Sequence, residues 1–521
     1  MKPSAASLTC TGVPFVINSA AIEPSRDFLR IPPPRASADT VLEWDIFENK
    51  YPPNALIGDF FNYRHGEGFL FSTPSGLAPP DEEQIPVLID RFLQNVHTKN
   101  PILDVESLVM HGRRCADHVY LKYTLRTIQS WHYFYHASTF CHMYLRMAHG
   151  HSDNLPHVLS TALSKHSNST DRKTQRLEQS LYWSCFKTEC EFRVELPLPQ
   201  SEISLGEYPN LFPSPPSPIP SKGNSQSFIA EEDLELRQHT VRLCNEEESW
   251  YYYLTEIALR RIGNRIINTF FQQERSSWLN IKPLLRVAQE FEVQVSSWSA
   301  HLPPAMQHYE TTSIIRAPHL NFLSEEAGSH VSRELSWAID NRLLEMQTWL
   351  YQPFLYYLVH VGLPGGSSPT YPAVLNDLLD PFHPPANDST HYLDASTPHF
   401  ATSTAPLDGD DVAVLSALIA SGIECCLKTI EVRTRAHRHH GLWYDLRSLM
   451  GASLVLLAIV KSGNAGWIPG GAEGLWGSAA DAIGGKVGKV LAHFEFWAAE
   501  AADMGAHMGV LESVVRDVRG S

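Results

Sequence analysis

Three histidines close together in sequence form the densest group of potential metal ligands in this 521-residue chain: His437, His439 and His440. Positions 437 and 440 would share one face of a helix, where two imidazoles could bind one metal ion. A zinc site needs further converging ligands, and no H-E-x-x-H companion occurs. We therefore favour the basic C-terminal end of a helix, where cations are stabilised by the helix dipole. Three arginines accompany the histidines there: Arg433, Arg435 and Arg438.

A glycine-lysine stretch, Gly484 to Lys486, is superficially similar to a phosphate-binding loop. Such loops require the pattern G-x-x-x-x-G-K-[ST], in which backbone amides and the lysine contact the phosphates. Here Val487 follows the lysine, and Ala480 stands in the place of the first glycine. Neither a G-x-S-x-G nucleophile elbow nor a G-x-G-x-x-G motif after a strand is found. We expect no nucleotide site.

Paired carboxylates are the other groups that could do chemistry, because two of them can serve as general acid and general base. Glu189 with Glu191 forms one such pair, and residues 246–248 form another group. Both fall on predicted helices, and we interpret both as solvated helix surfaces. The sequence thus predicts no catalytic, cofactor-binding or metal-binding residue, and we expect that the protein is not an enzyme.

Aromatic and basic side chains are interleaved in residues 120–146, a composition that could stack on nucleic-acid bases. The charge of the chain argues against this role, since 57 acidic and 41 basic residues give a net charge of −16. A surface that neutralises phosphates needs the opposite sign. We therefore interpret 120–146 as part of a helical core, with lysine and arginine side chains extending to solvent. Direct binding of nucleic acid is not expected.

No apolar run in the sequence reaches the roughly 18 residues of a membrane-spanning helix. The longest candidate, residues 449–460, is interrupted by Gly451 and Ser453. The first thirty residues lack the basic and apolar regions of a secretory signal. We expect no membrane association.

The eight cysteines predict neither a disulfide framework nor a metal site, because no C-x-x-C occurs and the chain is long. We interpret them as reduced thiols that are buried or incidental. They stand at positions 10, 115, 141, 185, 190, 244, 425 and 426.

The periodicity of apolar residues predicts an all-α protein. Hydrophobic residues make up 43% of the chain, enough for a large core, and its length suggests two to four domain-sized units. Apolar side chains recur every three or four positions, and no alternating strand pattern of useful length is found. The best-defined helix is expected to start at Asn245, a cap residue with Glu248 three positions on. Helices are predicted at 41–47, 81–96, 119–148, 176–196, 245–270, 283–299, 330–361 (with a kink or break at Pro353), 411–435, 443–461 and 489–517.

Proline, glycine and small polar residues divide the chain between these helices. We expect a disordered lead-in at 1–40, a helical domain at 41–461, and a glycine-rich connector with a C-terminal helix at 462–521. Long loops are predicted inside the domain at about 151–175, 197–230 and 363–410. Eight prolines between 197 and 220 exclude a helix there. A surface loop is favoured over a polyproline segment that docks a partner domain.

Several stretches, in order along 41–461, resemble the regulatory domain of fungal binuclear zinc-cluster transcription factors. They are Trp44 to Phe47, Tyr51 to Asn54, Phe92 to Asp104, Leu181 to Lys187 continuing through Glu195-Leu196-Pro197, Trp298 before Leu302-Pro303, Gln352 to Tyr356, and His437 to Tyr444. The resemblance implies an all-helical module, also called the middle homology region, which follows a DNA-binding zinc cluster. It also implies a nuclear protein that controls activation by sensing metabolites or by contacting other regulators. Many similar proteins regulate secondary-metabolite gene clusters.

Two features depart from that family. Its DNA reader needs six thiolates in two C-x2-C-x6-C halves, whereas only Cys10 precedes residue 115 here. The passage from Asp104 to Tyr120 is also shorter than in similar proteins. A shortened gene product or incomplete gene model would explain both departures, as would a genuinely reduced regulator. No zinc or other cofactor is expected in this chain.

Our leading hypothesis is therefore a transcriptional regulator that acts in the nucleus through protein partners, for example an intact zinc-cluster relative. The alternative is a helical small-molecule sensor or interaction scaffold without transcriptional output, because neutral, aromatic-rich helices favour pockets between them. The sequence does not specify target genes, effector or oligomeric state.

Overall fold

The computed structural model describes the chain in thirteen stretches: 35–58, 85–101, 127–149, 169–201, 203, 230–272, 274–303, 306, 309–315, 329–363, 406–477, 484–501 and 503–520. Within them the ordered elements are helices, and no strand occurs. The expected all-α fold is therefore confirmed. The α-helices are α1 (Ala38–Leu42), α2 (Ile85–Phe92), α3 (Thr127–His149), α4 (Ser169–Glu195), α5 (Ala230–Phe270), α6 (Lys282–Ala300), α7 (Tyr309–Thr312), α8 (His330–His360), α9 (Gly409–Arg433), α10 (Leu442–Lys461), α11 (Glu473–Trp476), α12 (Gly485–Ala498) and α13 (Met504–Gly520).

Local sequence signals explain where several helices begin. The Asp408 side chain accepts a hydrogen bond from the Asp411 amide while Asp411 accepts one from the Asp408 amide, a reciprocal cap at the start of α9. Ser329 caps α8 by accepting from the Ser332 amide at 3.0 Å. Pro283 sits in the first turn of α6, where its missing N–H costs nothing.

Helices α8 and α10 form the centre of the molecule. Helix α8 packs against α5, α9 and α10, and α10 also contacts α1 and α13. Most side chains of both central helices are buried around their whole circumference. A helix that is apolar on all sides needs neighbours on all sides, and these two have them.

Helices α9 and α10 are long and apolar enough to cross a membrane, with mean hydropathies of 1.6 and 1.4. In the folded chain, 56% and 83% of their apolar windows are buried. Packing in the core accounts for this composition. The expectation of no membrane association stays a prediction.

Some predicted boundaries are wrong. Asn245 lies inside α5, which begins fifteen residues earlier at Ala230, so the apparent cap is an interior sequence. Helix α4 begins at Ser169, within the predicted loop 151–175. Pro353 does not break α8, which runs as one helix to His360, and the alternative of a kink stays a prediction. The predicted C-terminal helix 489–517 is two helices, α12 and α13.

Both ends of the described chain belong to the central core. Helix α1 starts at Ala38, inside the expected lead-in 1–40, and its buried face packs on α10. Helices α12 and α13 also pack on α10, and their apolar side chains join the same hydrophobic cluster. Residues 1–34 and most of the predicted loops 151–175, 197–230 and 363–410 lie outside the described residues.

Candidate functional site

The three histidines lie in an irregular segment, 434–441, that follows the end of α9 at Arg433. They therefore do not share a helix face, and the predicted helix end with aligned His437 and His440 is wrong. His437 Nε2 lies 3.0 Å from Glu334 Oε1 on α8. His439 Nε2 lies 2.9 Å from Asp445 Oδ2 on α10. The segment is thus tied to the two central helices.

Within the described residues, no group of three or more histidine, cysteine or acidic side chains has the geometry of a metal site. Both ring nitrogens of His439 are already engaged in hydrogen bonds. Its Nδ1 accepts a hydrogen bond from the Gly441 amide, so the proton sits on Nε2 and is donated to Asp445. Burial lowers the pKa of His439, which keeps the ring neutral.

Glu189 and Glu191 are buried, so their interpretation as a solvated surface is wrong. Glu191 accepts hydrogen bonds from Arg260 at 3.1 Å and from Arg342 at 2.5 Å. Glu189 accepts from the Ser201 amide at 2.7 Å, and burial raises its pKa. The sequence carried a usable signal, because α4 is apolar on most of its circumference and leaves no side for exposed charges. Residues 246–248 are half-buried.

Glu256 on α5 and Glu191 on α4 anchor a larger cluster of buried charges. Lys187 Nζ lies 3.4 Å from Glu256 Oε2, and Arg342 Nε lies 3.3 Å from Glu256 Oε1. Arg342 also binds Glu345 one turn further along α8. Burial lowers the pKa of Lys187, and the carboxylates of Glu256 and Glu191 oppose that shift. Three helices are joined here by ion pairs that water barely reaches.

Lys99, after α2, extends this cluster towards the histidine segment. Its ammonium binds Glu334, which also faces His437. The backbone carbonyl of Lys99 accepts a hydrogen bond from Lys187 Nζ at 3.3 Å. Although burial acts in the opposite direction, Lys99 and His437 hold the pKa of Glu334 below its ordinary value. The Glu334 carboxylate is therefore charged and shared between two partners.

A second buried cluster surrounds Arg447 on α10, whose side chain is fully enclosed. Its guanidinium donates to Asp39 on α1 at 2.6 Å and to Glu195 on α4 at 3.0 Å. Burial raises the pKa of Glu195 to about 7 despite the attraction of Arg447. Burial and the same arginine lower the pKa of His507 on α13 to about 3. One cation thus joins elements from both ends of the chain.

A small cavity lies where α4, α5, α8 and α10 meet the 434–441 segment, and its volume is about 50 Å³. Its wall carries three cations, Lys187, Arg342 and Arg433, together with the Glu256 carboxylate and the Asn341 amide. Arg433 donates to the backbone carbonyl of Asn341 at 2.7 Å and lies 3.6 Å from Asp445. This polar cavity is the candidate functional site.

The glycine-lysine stretch at Gly484 to Lys486 performs a packing role. Gly485 has φ +69°, and a Cβ there would lie 2.4 Å from the carbonyl carbon of Trp476. Only glycine allows the first turn of α12 to approach that backbone so closely. The rejection of a phosphate loop stays a prediction, but the glycines have a structural reason.

The aromatic helix α3 is only partly a core element. Trp131 and Phe134 pack against the main hydrophobic cluster, whereas Tyr133, Phe140 and Tyr144 are exposed, Phe140 by 67%. The expected helical core therefore describes one face of α3, while the other face carries exposed aromatic side chains. Residues 120–126 lie outside the described part.

Five cysteines in the described residues are buried free thiols, as expected: Cys141, Cys185, Cys190, Cys425 and Cys426. Burial raises the pKa of Cys190 to about 12 and also raises that of Cys426. Such thiols are poor nucleophiles.

Sequence reasoning missed the charged residues that surround the cavity. A usable signal was present at Glu256, because Tyr252, Tyr253 and Leu259, three or four positions away, share its helix face. A charge at such a position has to be paired inside the protein.

Comparison with protein-family models, with curated proteins and with solved structures gives no match for this chain.

Proposed function

We propose that the chain is the helical regulatory part of a transcriptional regulator of the fungal zinc-cluster family. It acts in the nucleus through protein partners, such as an intact zinc-cluster relative, and its targets include secondary-metabolite genes. The single observation that supports this proposal is spatial. Stretches that carry the family resemblance, although far apart in sequence, contact one another around the buried charges.

The contacts between these stretches are specific. Trp44, from the first stretch, packs edge-on against Tyr356 with ring centroids 5.2 Å apart. Lys99, from the stretch after α2, receives the Lys187 ammonium on its carbonyl. His437 contacts Glu334, the partner of Lys99. Such contacts are expected if the resembling stretches belong to one regulatory unit, and in that way they support the proposal.

A reporter experiment tests the regulatory role. A fungal host would express the chain alone, an intact zinc-cluster relative alone, or both, and transcript levels would be measured across the genome. We expect the pair to differ from the relative alone at a defined set of promoters. An unchanged transcriptome in every combination would refute the proposal.

A partner-dependent mechanism also predicts that the purified chain binds DNA poorly. The net charge of −16 predicts weak, unselective binding to a promoter duplex. Fluorescence anisotropy with labelled promoter fragments at physiological salt would measure this. Tight and selective binding by the purified chain without a helper would contradict a partner-dependent mechanism.

A second candidate function, a small-molecule sensor, is favoured by the polar cavity. The cavity is lined from several helices and from the histidine segment, so a bound molecule would couple these parts. A thermal-shift screen with fungal metabolites tests this function. A uniformly flat response would favour a pure interaction scaffold.

A further inference from the structure

The positive and negative side chains around the cavity beside the histidine segment are equal in number. Four cations, Lys187, Arg260, Arg342 and Arg433, lie on or just behind it, and four carboxylates face them: Glu191, Glu256, Glu345 and Asp445. These formal charges cancel. A ligand with a net charge, such as a phosphate, would leave an uncompensated charge in a buried place, which is costly.

Three side chains on the wall nevertheless have hydrogen-bonding capacity left over. Asn341 is 8% exposed, and neither its Oδ1 nor its Nδ2 finds a hydrogen-bond partner in the described part of the chain. Arg433 is 2% exposed, and its Nη1 likewise finds no hydrogen-bond partner among the described residues. Both carboxylate oxygens of Glu256 lie beside cations but make no well-aligned hydrogen bond to described residues. Buried polar atoms of this kind are normally satisfied.

These side chains could all be satisfied by one small molecule that carries both a hydrogen-bond donor and a hydrogen-bond acceptor. Glu256 and Asn341 Oδ1 can accept from an ammonium group, while Arg433 Nη1 and Asn341 Nδ2 can donate to a carboxylate. A volume of about 50 Å³ holds roughly four water-sized groups, so only the smallest amino acids, with about five or six non-hydrogen atoms, are near the right size. We propose that the cavity binds a small zwitterion, an α-amino acid of the size of glycine or alanine.

This inference does not depend on the transcriptional role, because binding is measured on the purified full chain. The test is a thermal-shift titration in a buffer free of zwitterions, with glycine and L-alanine as probes. Acetate, methylammonium, inorganic phosphate and glycerol are the matched single-function controls. We expect Tm to rise with concentration for the two amino acids alone. No rise, or an equal rise with phosphate or glycerol, would overturn the proposal.

Asn341→Leu separates binding from stability. Leucine removes the two unsatisfied atoms at similar volume, so the free protein keeps its Tm or gains a little, while the amino-acid affinity falls by about tenfold or more. Asn464→Leu is the control, since Asn464 donates to the Leu358 carbonyl at 3.1 Å away from the cavity. It should lower Tm and keep the amino-acid shift. Should Asn341→Leu not fold, Asn341→Ser tests the same loss, and an unchanged affinity in either Asn341 variant would refute the site.

Discussion

Arg447 is the cation of the second buried cluster. It is fully enclosed and serves the carboxylates of Asp39 and Glu195 together. We expect Arg447→Met to lower the free energy of unfolding by about 3–5 kcal/mol, because it leaves carboxylates buried without their cation. Urea denaturation followed by circular dichroism would measure this.

A surface arginine provides the matched comparison. Arg438 pairs with Glu500 at 2.6 Å, but both side chains are about 40% exposed (39% and 43%). Arg438→Ala should therefore cost at most about 1 kcal/mol. An equal loss of unfolding free energy in the two variants would contradict the prediction that the buried Arg447 contributes more to stability than the surface Arg438.

His97 makes stability depend on pH. Burial, with a smaller contribution from Arg176, lowers its pKa from 6.5 to about 4. The unfolded chain therefore takes up a proton near pH 6.5 while the folded chain does not, so the stability that the neutral His97 ring contributes above pH 6.5 is lost as pH falls towards 4. At about 1.4 kcal/mol per pKa unit, His97 accounts for about 3 kcal/mol of that loss.

The variant His97→Leu should flatten this dependence. Unfolding by urea at pH 7, 5.5 and 4 would give the free energy for the variant and the wild type, and the wild-type value should fall relative to that of the variant, by about 3 kcal/mol between pH 7 and pH 4. Phe92→Leu is the control, because Phe92 packs near the same ring at 6.3 Å and does not titrate. A parallel pH profile for His97→Leu and the wild type would contradict the buried neutral histidine.

At the scale of the helices, Gly422 allows α8 and α9 to approach each other closely. A Cβ at this position would lie 2.9 Å from Tyr351 Cβ and 3.0 Å from Leu355. Gly422→Ala should destabilise the protein by about 1–3 kcal/mol, despite the better helix propensity of alanine, because neither helix can yield without repacking.

Gly509 on the exposed face of α13 is the matched control, with nothing within 4 Å of its added Cβ. Gly509→Ala should stabilise the protein by about 0.5–1 kcal/mol. Thermal unfolding of the two variants should therefore shift Tm in opposite directions. A rise in Tm for both variants would show that α8 and α9 can accommodate an added methyl group at this crossing without loss of stability.

The helices themselves could largely be predicted from periodicity, and the charged site could not. The predicted 283–299 agrees with α6 to within a residue, since a proline in the first turn and a clear apolar stripe define it. The start of α5 was missed because a cap residue followed by glutamate also occurs inside helices. Periodicity identifies the buried face of a helix but not the partner across it, so the pairing of Lys187 with Glu256 required the folded chain.

At the scale of the whole molecule, the last sixty residues complete the core. Trp443 Nε1 donates to Asp503 at 3.0 Å, and the apolar faces of α12 and α13 cover α10. A chain that ends at Lys461 should therefore aggregate and lose its cooperative unfolding transition, because it exposes α10. Size-exclusion chromatography and calorimetry would detect this.

Supplying residues 462–521 as a separate polypeptide is the control for that truncation. Co-expression of the two pieces should restore a soluble, cooperative complex if the contacts of α12 and α13 are what the shorter chain lacks. A truncated chain that remains monomeric with the full-length Tm would instead make 462–521 an independent appendage.

The bond between Asp39 and Arg447 joins residues 408 positions apart. During synthesis on the ribosome, α1 therefore emerges long before its cation exists, and the Asp39 carboxylate stays hydrated until the following 408 residues have been made. The native interior can close only after residue 447 has been made, a delay that lengthens the exposure of apolar surface. The cellular yield of this protein should therefore depend strongly on chaperones that bind nascent chains.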